Sequence, residues 1–208
     1  MYKRQGVAIA WRKSLNHLIC KLPHISNRIV GIQLLTAGRP TCLLSVYLPT
    51  RSGATDEFKE ALDLLDATLG LYGLDNDVYI LGDLNADLGT EGGPQACTPA
   101  NEHGRILLRY LRRWKYLSYH LHLSPSQTTH TYESEAHGSL STIDHFLGPS
   151  HMLSSISKCV VAEEDPINTS DHLPILAQME LCFHPNAAPS PVEPVSYTHL
   201  TLPTICSV

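Results

Sequence analysis

Residues 77–81 (DVYIL) run without alternation into Gly82-Asp83-Leu84-Asn85, and this segment constrains the fold more than any other. A strand with apolar side chains on both faces is buried on both sides, so structure must cover it above and below. The preceding segment supplies one cover. Across residues 56–72, Phe58, Leu62, Leu65 and Leu69 recur at helical spacing with acidic residues between them, and Gly73 ends the run. Asp83 and Asn85 lie one residue apart at the strand end, so both side chains point the same way. A carboxylate and a carboxamide so placed bind a hard cation, or position a water and a phosphoryl oxygen. Alone, a Gly-Asp pair after a strand is more often a simple chain reversal.

The rest of the chain is strand-rich before this segment and mixed after it. Residues 6–11 (GVAIAW), 28–35 and 41–48 read as consecutive strands, the last two joined by a turn at Gly38-Arg39-Pro40. Residues 101–114 read as a second helix. Ile106, Leu107, Tyr110 and Leu111 lie on one side of it, and Arg105, Arg109, Arg112 and Arg113 on another. Strand-like pieces follow at 129–132, 142–147, 157–162 and 173–181. The order predicts an α/β domain of two β-sheets packed face to face with helices outside, a four-layer α/β sandwich. A chain of 208 residues supports one such domain and no second of similar size.

The two ends read as foreign to it. Residues 184–194 (HPNAAPSPVEP) are rich in Pro and Ala and are expected to form a linker. Residues 195–208, like residues 1–5, resemble translated adaptor sequence and are excluded from the fold, which leaves 6–183 as the domain. The six cysteines are scattered with no CxxC pair, so they are expected to be reduced and mostly buried. No apolar run approaches the roughly 18 residues that span a bilayer. A net charge of −5 gives no global pull toward a polyanion, so any nucleic-acid contact is local. The arginines of the second helix, with Lys115, are the local candidate, although such a stripe is more often a solvated helix face. His120, His122, His130 and His137 lack ligand-like companions and are expected on the surface or in a hairpin.

Two acid–histidine pairs are candidates to carry chemistry, although a lone Asp-His pair in a loop is more often polar surface and an acid in a strand more often an edge residue. In Ser170-Asp171-His172, followed by Leu173-Pro174, the acid can orient the ring or bind metal, while the imidazole takes a proton or steadies a phosphate. In Ile143-Asp144-His145 an acid sits between apolar neighbours, where burial is costly without a partner.

Taken in order, Ser45-Val46-Tyr47-Leu48-Pro49, Gly82–Asn85, Thr131-Tyr132, Ile143-Asp144-His145 and Ser170–Pro174 resemble the motif series of the endonuclease/exonuclease/phosphatase superfamily. That superfamily includes pancreatic-type deoxyribonucleases, abasic-site endonucleases and inositol phosphatases. The resemblance implies catalytic roles for Tyr47, Asp83, Asn85, Asp144 and His172. Tyr47 would donate to the scissile phosphate, and Asp83 would handle a proton of the attacking water or leaving oxygen. Asn85 would hold the phosphate or that water. Asp144 would orient His172, which contacts the phosphate or takes the proton. Asp171 would help bind Mg²⁺ or Mn²⁺, with Asp83 and Asn85 at a second metal position.

Two departures stand out. Ser45 replaces the usual Asn, and no match exists for the family's first two motifs, an Asn and a metal-binding Glu. The resemblance places those ahead of Gly6, on a segment of roughly 40–60 residues by ordinary element lengths. The domain is therefore expected to be incomplete at its N-terminus and inactive or nearly so. The motif flanks look most like the endonuclease domain of non-LTR retrotransposons, which implies DNA as partner, nuclear action and an adjoining reverse transcriptase. A cellular phosphoesterase acting on abasic DNA or phosphoinositides is the alternative within the superfamily. A non-catalytic module that binds DNA or a partner is the alternative outside enzymes.

Overall fold

In the computed structural model, which describes residues 6–50, 55–123, 130–134, 138–162 and 168–183, the segment after Asn76 is the third-from-last strand of a six-stranded sheet. The sheet runs in the order β1 (Ile19–Lys21), β2 (Ile29–Leu34), β3 (Thr41–Val46), β4 (Asp77–Asp83), β8 (Asp144–Pro149) and β5 (Tyr116–Ser118). β3 and β4 are parallel, and every other neighbouring pair is antiparallel. The parallel step needs a crossover, which is made by α1 (Thr55–Tyr72). Two smaller pairs complete the strands: β9 (Ile156–Val161) with β10 (Ile175–Met179), and β6 (Tyr132–Ser134) with β7 (Ser139–Ser141).

The period-2 alternation of β4 divides the interior into two cores. Val78 and Ile80 point to one face, where they join Cys42, Leu44 and Val46 of β3 under Phe58, Leu62, Leu65 and Leu69 of α1. Ile106, Leu107 and Leu111 of α2 (Glu102–Trp114) close the same layer. Tyr79 and Leu81 point the other way, onto Phe146, Tyr119, Ile156, Cys159, Val161 and Ile175. The chain is thus a mixed α/β fold in which helices cover one face of the central sheet and the β9–β10 pair packs on the other.

Most expected elements form within a residue or two of their sequence bounds. Residues 6–11 do not: their burial alternates as a strand's would, yet they pair with no neighbour. Alternation fixes which side chains face the core, but a strand also needs a ladder, and here the sheet edge is β1, behind a 3-10 turn at Lys13–Leu18. Strands β1 and β5, three residues each, were too short to carry a period. Of the five described cysteines all are free, but only Cys42 and Cys159 are buried; Cys20, Cys97 and Cys182 are exposed, against the expectation of mostly buried thiols. Among the described residues no helix is long and apolar enough to cross a membrane. The expected linker and foreign segments, and Thr129, His137 and Cys206, lie outside the described residues.

The α2 arginines are a solvated face laced with ion pairs. Arg112 pairs with Glu91 and Arg113 with Asp66, while Arg105 donates to the Ala100 carbonyl at 2.9 Å. Tyr110 and Trp114 add bonds to Asp63 and Asp66, tying α2 to α1. Guanidinium groups so engaged are poorly placed to neutralise a phosphate backbone.

Candidate active site

Strand register brings the site residues into one row. Asp83, the last residue of β4, lies directly opposite Asp144, the first of β8, and both occupy the face that carries Leu81 and Phe146. β3 continues the row. Val46 and Leu48 are both in the helix-side core, so the intervening Tyr47 points to the face of Asp83. Leu48 N–H donates to the Asp83 carbonyl at 2.9 Å, which ties the two strand ends together. β3 and β4 approach closely at Gly82, whose φ is +136°: a Cβ there would lie 2.1 Å from the Val46 carbonyl oxygen. This glycine is therefore a site of close backbone contact within β4 and not the chain reversal that a Gly-Asp pair more often marks.

Asn85 adopts a left-handed conformation, φ +47°. Its backbone N–H donates to Asp83 Oδ1 at 2.9 Å, and its carboxamide nitrogen donates to the Leu48 carbonyl at 2.9 Å. Both bonds fix the carboxamide, whose oxygen remains an acceptor. The start of α2 supports this loop from beneath. Asn101 N–H donates to the Asp87 carbonyl, and His103, stacked on Phe58 at 3.7 Å, places Nδ1 3.2 Å from the Asn85 carbonyl. Asp87 itself is buried and accepts from Gly89 N–H, Thr98 Oγ1 and Thr142 N–H.

His172 arrives from the other layer, in the loop before β10. Its Nδ1–H donates to Asp144 Oδ2 at 2.9 Å; the carboxylate can only accept, which fixes the proton on Nδ1. Asp144 has a side-chain exposure of 2%, against 19% for His172, so the acid is sealed and the ring reaches the surface. The Tyr132 ring flanks the imidazole at 4.9 Å. Asp171 is exposed, and its backbone carbonyl accepts from Glu133 N–H at 2.9 Å.

Burial and the facing Asp144 charge push the Asp83 carboxyl up to about 7, against the opposing pull of the Asn85 hydrogen bonds and His172. Asp83 is thus poised to exchange a proton near neutral pH. Burial alone would lower His172, but the Asp144 hydrogen bond, with the charges of Asp144, Asp83 and Asp171, outweighs it and raises the imidazole above its ordinary value.

Asp83 and Asn85 sit together at the β4 end, and Asp171 lies on the opposite loop. Among the described residues no three His, Cys, Asp or Glu side chains converge on a point that could hold a metal. The donors present are hard oxygens of the right kind for Mg²⁺ but do not amount to a site by themselves.

On the helix face of β8, opposite Asp144, lies a second polar cluster. His120, expected at the surface, is buried with His145. His145 Nε2–H donates to the Ala86 carbonyl at 2.8 Å, so its Nδ1 accepts from Ser118 Oγ at 3.0 Å. Ser118 Oγ in turn lies 3.3 Å from His120 Nδ1. His130 is half-buried, with Nε2 enclosed, and His122 bonds the Ser118 carbonyl at 2.9 Å. Burial holds both His120 and His145 below the ordinary imidazole value of 6.5. A lowered imidazole keeps its stabilising contribution above the unfolded value and loses it as pH falls below that. Stability of Asp83→Asn measured by urea unfolding is therefore expected to drop as pH falls from 6.5 to 5.5. The Asp83→Asn background removes the opposing slope of Asp83, and a flat profile there would contradict a neutral buried pair.

The structure brings together Tyr47, Asp83, Asn85, Asp144 and His172 and leaves Asp171 at the rim. It adds residues to which the sequence reading gave no role. Arg28 lies across the ladder from Tyr47: its carbonyl accepts Tyr47 N–H at 2.9 Å and its guanidinium sits 5.6 Å from the ring centroid. The pairing of residues 28–35 with 41–48 would have identified Arg28 had register been known. Asp87 was visible only as a third alternate polar residue after Asp83 and Asn85.

Similar architectures occur among solved structures. The endonuclease domain of TRAS1, a telomere-specific non-LTR retrotransposon, superposes with a TM-score of 0.62 at 19% identity, over 78% of this chain and 68% of that one. The catalytic domain of Xenopus laevis APE2 gives 0.61 at 19% identity, over 78% of this chain and 59% of that one. The 3'-5' exonuclease NExo of Neisseria meningitidis gives 0.54 at 18% identity, over 74% and 66%. At these identities the likeness establishes the fold. No curated protein sequence matches the chain. A family model does: that of the endonuclease/exonuclease/phosphatase family matches residues 2–172, most of the chain, including every motif from Tyr47 to His172. The row Tyr47, Asp83 and Asp144 with His172, on the fold of known nucleases and under that match, makes this chain a member of the endonuclease/exonuclease/phosphatase family.

Proposed function

We propose that the site cleaves phosphodiester bonds in DNA, in the manner of an endonuclease that nicks one strand. The observation that carries this reading is the opposed pair Asp83 and Asp144, with His172 hydrogen-bonded to the latter. A carboxyl poised near pH 7 next to an oriented imidazole is what proton transfer to and from a reacting water or leaving oxygen requires. Asp83 takes the proton of the attacking water or returns one to the leaving oxygen. His172, raised and therefore more readily cationic, donates to a phosphoryl oxygen, and Asp144 holds its ring. Tyr47 and the Asn85 carboxamide position the phosphate, while the Arg28 guanidinium beside the Tyr47 ring is paired with Glu57.

A divalent cation, Mg²⁺ or Mn²⁺, would add Lewis-acid stabilisation at a phosphoryl oxygen. The family's motif series supplies a further carboxylate for that cation, for which residues 6–183 show no match. The 208-residue chain is accordingly expected to nick feebly, and a form extended by the first strands of a related endonuclease domain, which supply that carboxylate, to nick well. A retrotransposon role, with chromosomal DNA as target, action in the nucleus and a reverse transcriptase as companion, is supported by the motif flanks and by the TRAS1 domain's likeness. A second reading, incision at abasic sites, is supported by the likeness to an AP endonuclease from Leishmania major at a TM-score of 0.54.

The substrates separate these readings. The extended form is incubated with supercoiled plasmid, an abasic-site duplex and phosphoinositide vesicles, each with Mg²⁺. Nicking of intact supercoiled DNA that EDTA abolishes is the expected result. Cleavage confined to the abasic duplex favours the second reading. Phosphate release from the vesicles with both DNAs untouched would overturn both.

A further inference from the structure

We propose that Thr131 is a positioning residue for the Asp144–His172 pair, a role that rests on the nuclease reading for its catalytic consequence though not for its geometry. Asp144 and His172 are 28 residues apart in sequence and belong to different layers, yet their hydrogen bond is 2.9 Å. Something must hold the two loops in register.

Thr131 touches both. Its Oγ1 accepts two backbone N–H groups, from Ile143 at 3.1 Å and from Asp144 at 3.0 Å. Its own N–H donates to the Ser141 carbonyl at 2.9 Å. On the other side its carbonyl accepts Leu173 N–H at 2.8 Å, one residue beyond His172. The next two residues continue the clamp: Tyr132 forms a β-bridge with His172 and flanks its ring, and Glu133 N–H donates to the Asp171 carbonyl at 2.9 Å. Thr131 has no exposed surface, so water cannot stand in for the hydroxyl.

The hydroxyl is the specific element. Backbone bonds along residues 131–133 align the chain with the His172 loop whatever the side chain. The start of β8, where Asp144 sits, is held from this side by the Thr131 oxygen. Threonine also suits the place because its methyl fills the volume that valine would, while its oxygen accepts both amides. Valine at 131 keeps the shape and removes only the acceptor, and serine keeps the acceptor and removes only the methyl.

Proton NMR of the 208-residue chain tests this without requiring activity. The His172 Nδ1–H bonded to Asp144 is expected as a low-field resonance in the wild type. Thr131→Val should lose or broaden it while the far-UV spectrum stays native, and Thr131→Ser should restore it. In the extended form Thr131→Val should lower kcat for nicking about 10²-fold with KM little changed, the expected outcome of displacing a reacting group by about 1 Å. A folded Thr131→Val protein with the low-field proton in its wild-type position overturns the proposal, as does its loss in Thr131→Ser. Should Thr131→Val not fold, amide exchange of the wild type decides: Ile143 and Asp144 are expected to be protected together with Leu173, and free-loop exchange at Asp144 overturns the role. If no form nicks DNA while the resonance behaves as expected, the nuclease reading falls and the positioning role of Thr131 stands.

Discussion

Replacing Asp83 by Asn is expected to make the protein more stable at pH 8 while removing the group assigned to proton transfer. The sign follows from linkage. A carboxyl raised from 3.8 in the unfolded chain to about 7 in the folded one favours folding fully only below the lower value, and that contribution is lost as pH rises through the upper. Above pH 7 the folded state therefore holds a buried charge facing Asp144 at its worst. Asn at the same position carries no charge, and its oxygen still accepts the Asn85 N–H. In EDTA the variant should gain roughly 2–4 kcal/mol over wild type at pH 8 and almost nothing at pH 4, as read from urea midpoints at the two pH values. Equal stability of the two proteins at pH 8 would mean that Asp83 is not raised, and its assignment as the proton-exchanging group would fail.

Gly104→Ala should have the opposite consequence. Gly104 lies in the first turn of α2, where helix propensity alone favours Ala by about 1 kcal/mol. Here a Cβ would stand 1.7 Å from the Asp87 carbonyl oxygen and 2.5 Å from its carbonyl carbon. Both atoms are backbone, so α2 and the loop carrying Asn85 must separate. That separation breaks the Asn101–Asp87 bond and the His103 contact to the Asn85 carbonyl. A loss of about 3 kcal/mol or more is expected, together with displacement of Asn85 from the site. Gly70→Ala is the matched control: it too is helical, a Cβ there meets nothing within 4 Å, and it should be neutral or stabilising by up to about 1 kcal/mol. Thermal melts of the two variants side by side decide the matter, and similar melting points would refute the close approach.

The sequence was most informative where a periodic pattern and a chemical one coincide. Residues 77–81 betrayed a doubly buried strand by having no polar face, and the polar residues beyond it had to lie at the strand end. Asp144 was legible for the complementary reason, an acid among apolar neighbours that needed a partner. What could not be read was the partner's identity from spacing alone. The Asp83–Asp144 opposition is a matter of β4–β8 register, and the His172 contact depends on how the β9–β10 layer sits on the sheet. Both are long-range facts with no local signature. Histidines illustrate the limit from the other side. His120 is buried while His122, two residues on, is half-buried; the difference follows from where the chain turns after Ser118 and left no trace in composition. Thr131 stood within a recognised motif, but its hydroxyl acquires meaning only once the Ile143–Asp144 amides are known to converge on it.

The most direct test of the site is the rate of supercoiled-plasmid nicking by the extended form in Mg²⁺ at pH 7.5, wild type against Asp83→Asn. Proton transfer by a positioned side chain contributes about 10²–10⁴-fold, so a loss of about 10³-fold is expected, in a variant that is at least as stable as its parent. Nicking by both proteins at the same rate would contradict the assignment of this row of residues as the catalytic site.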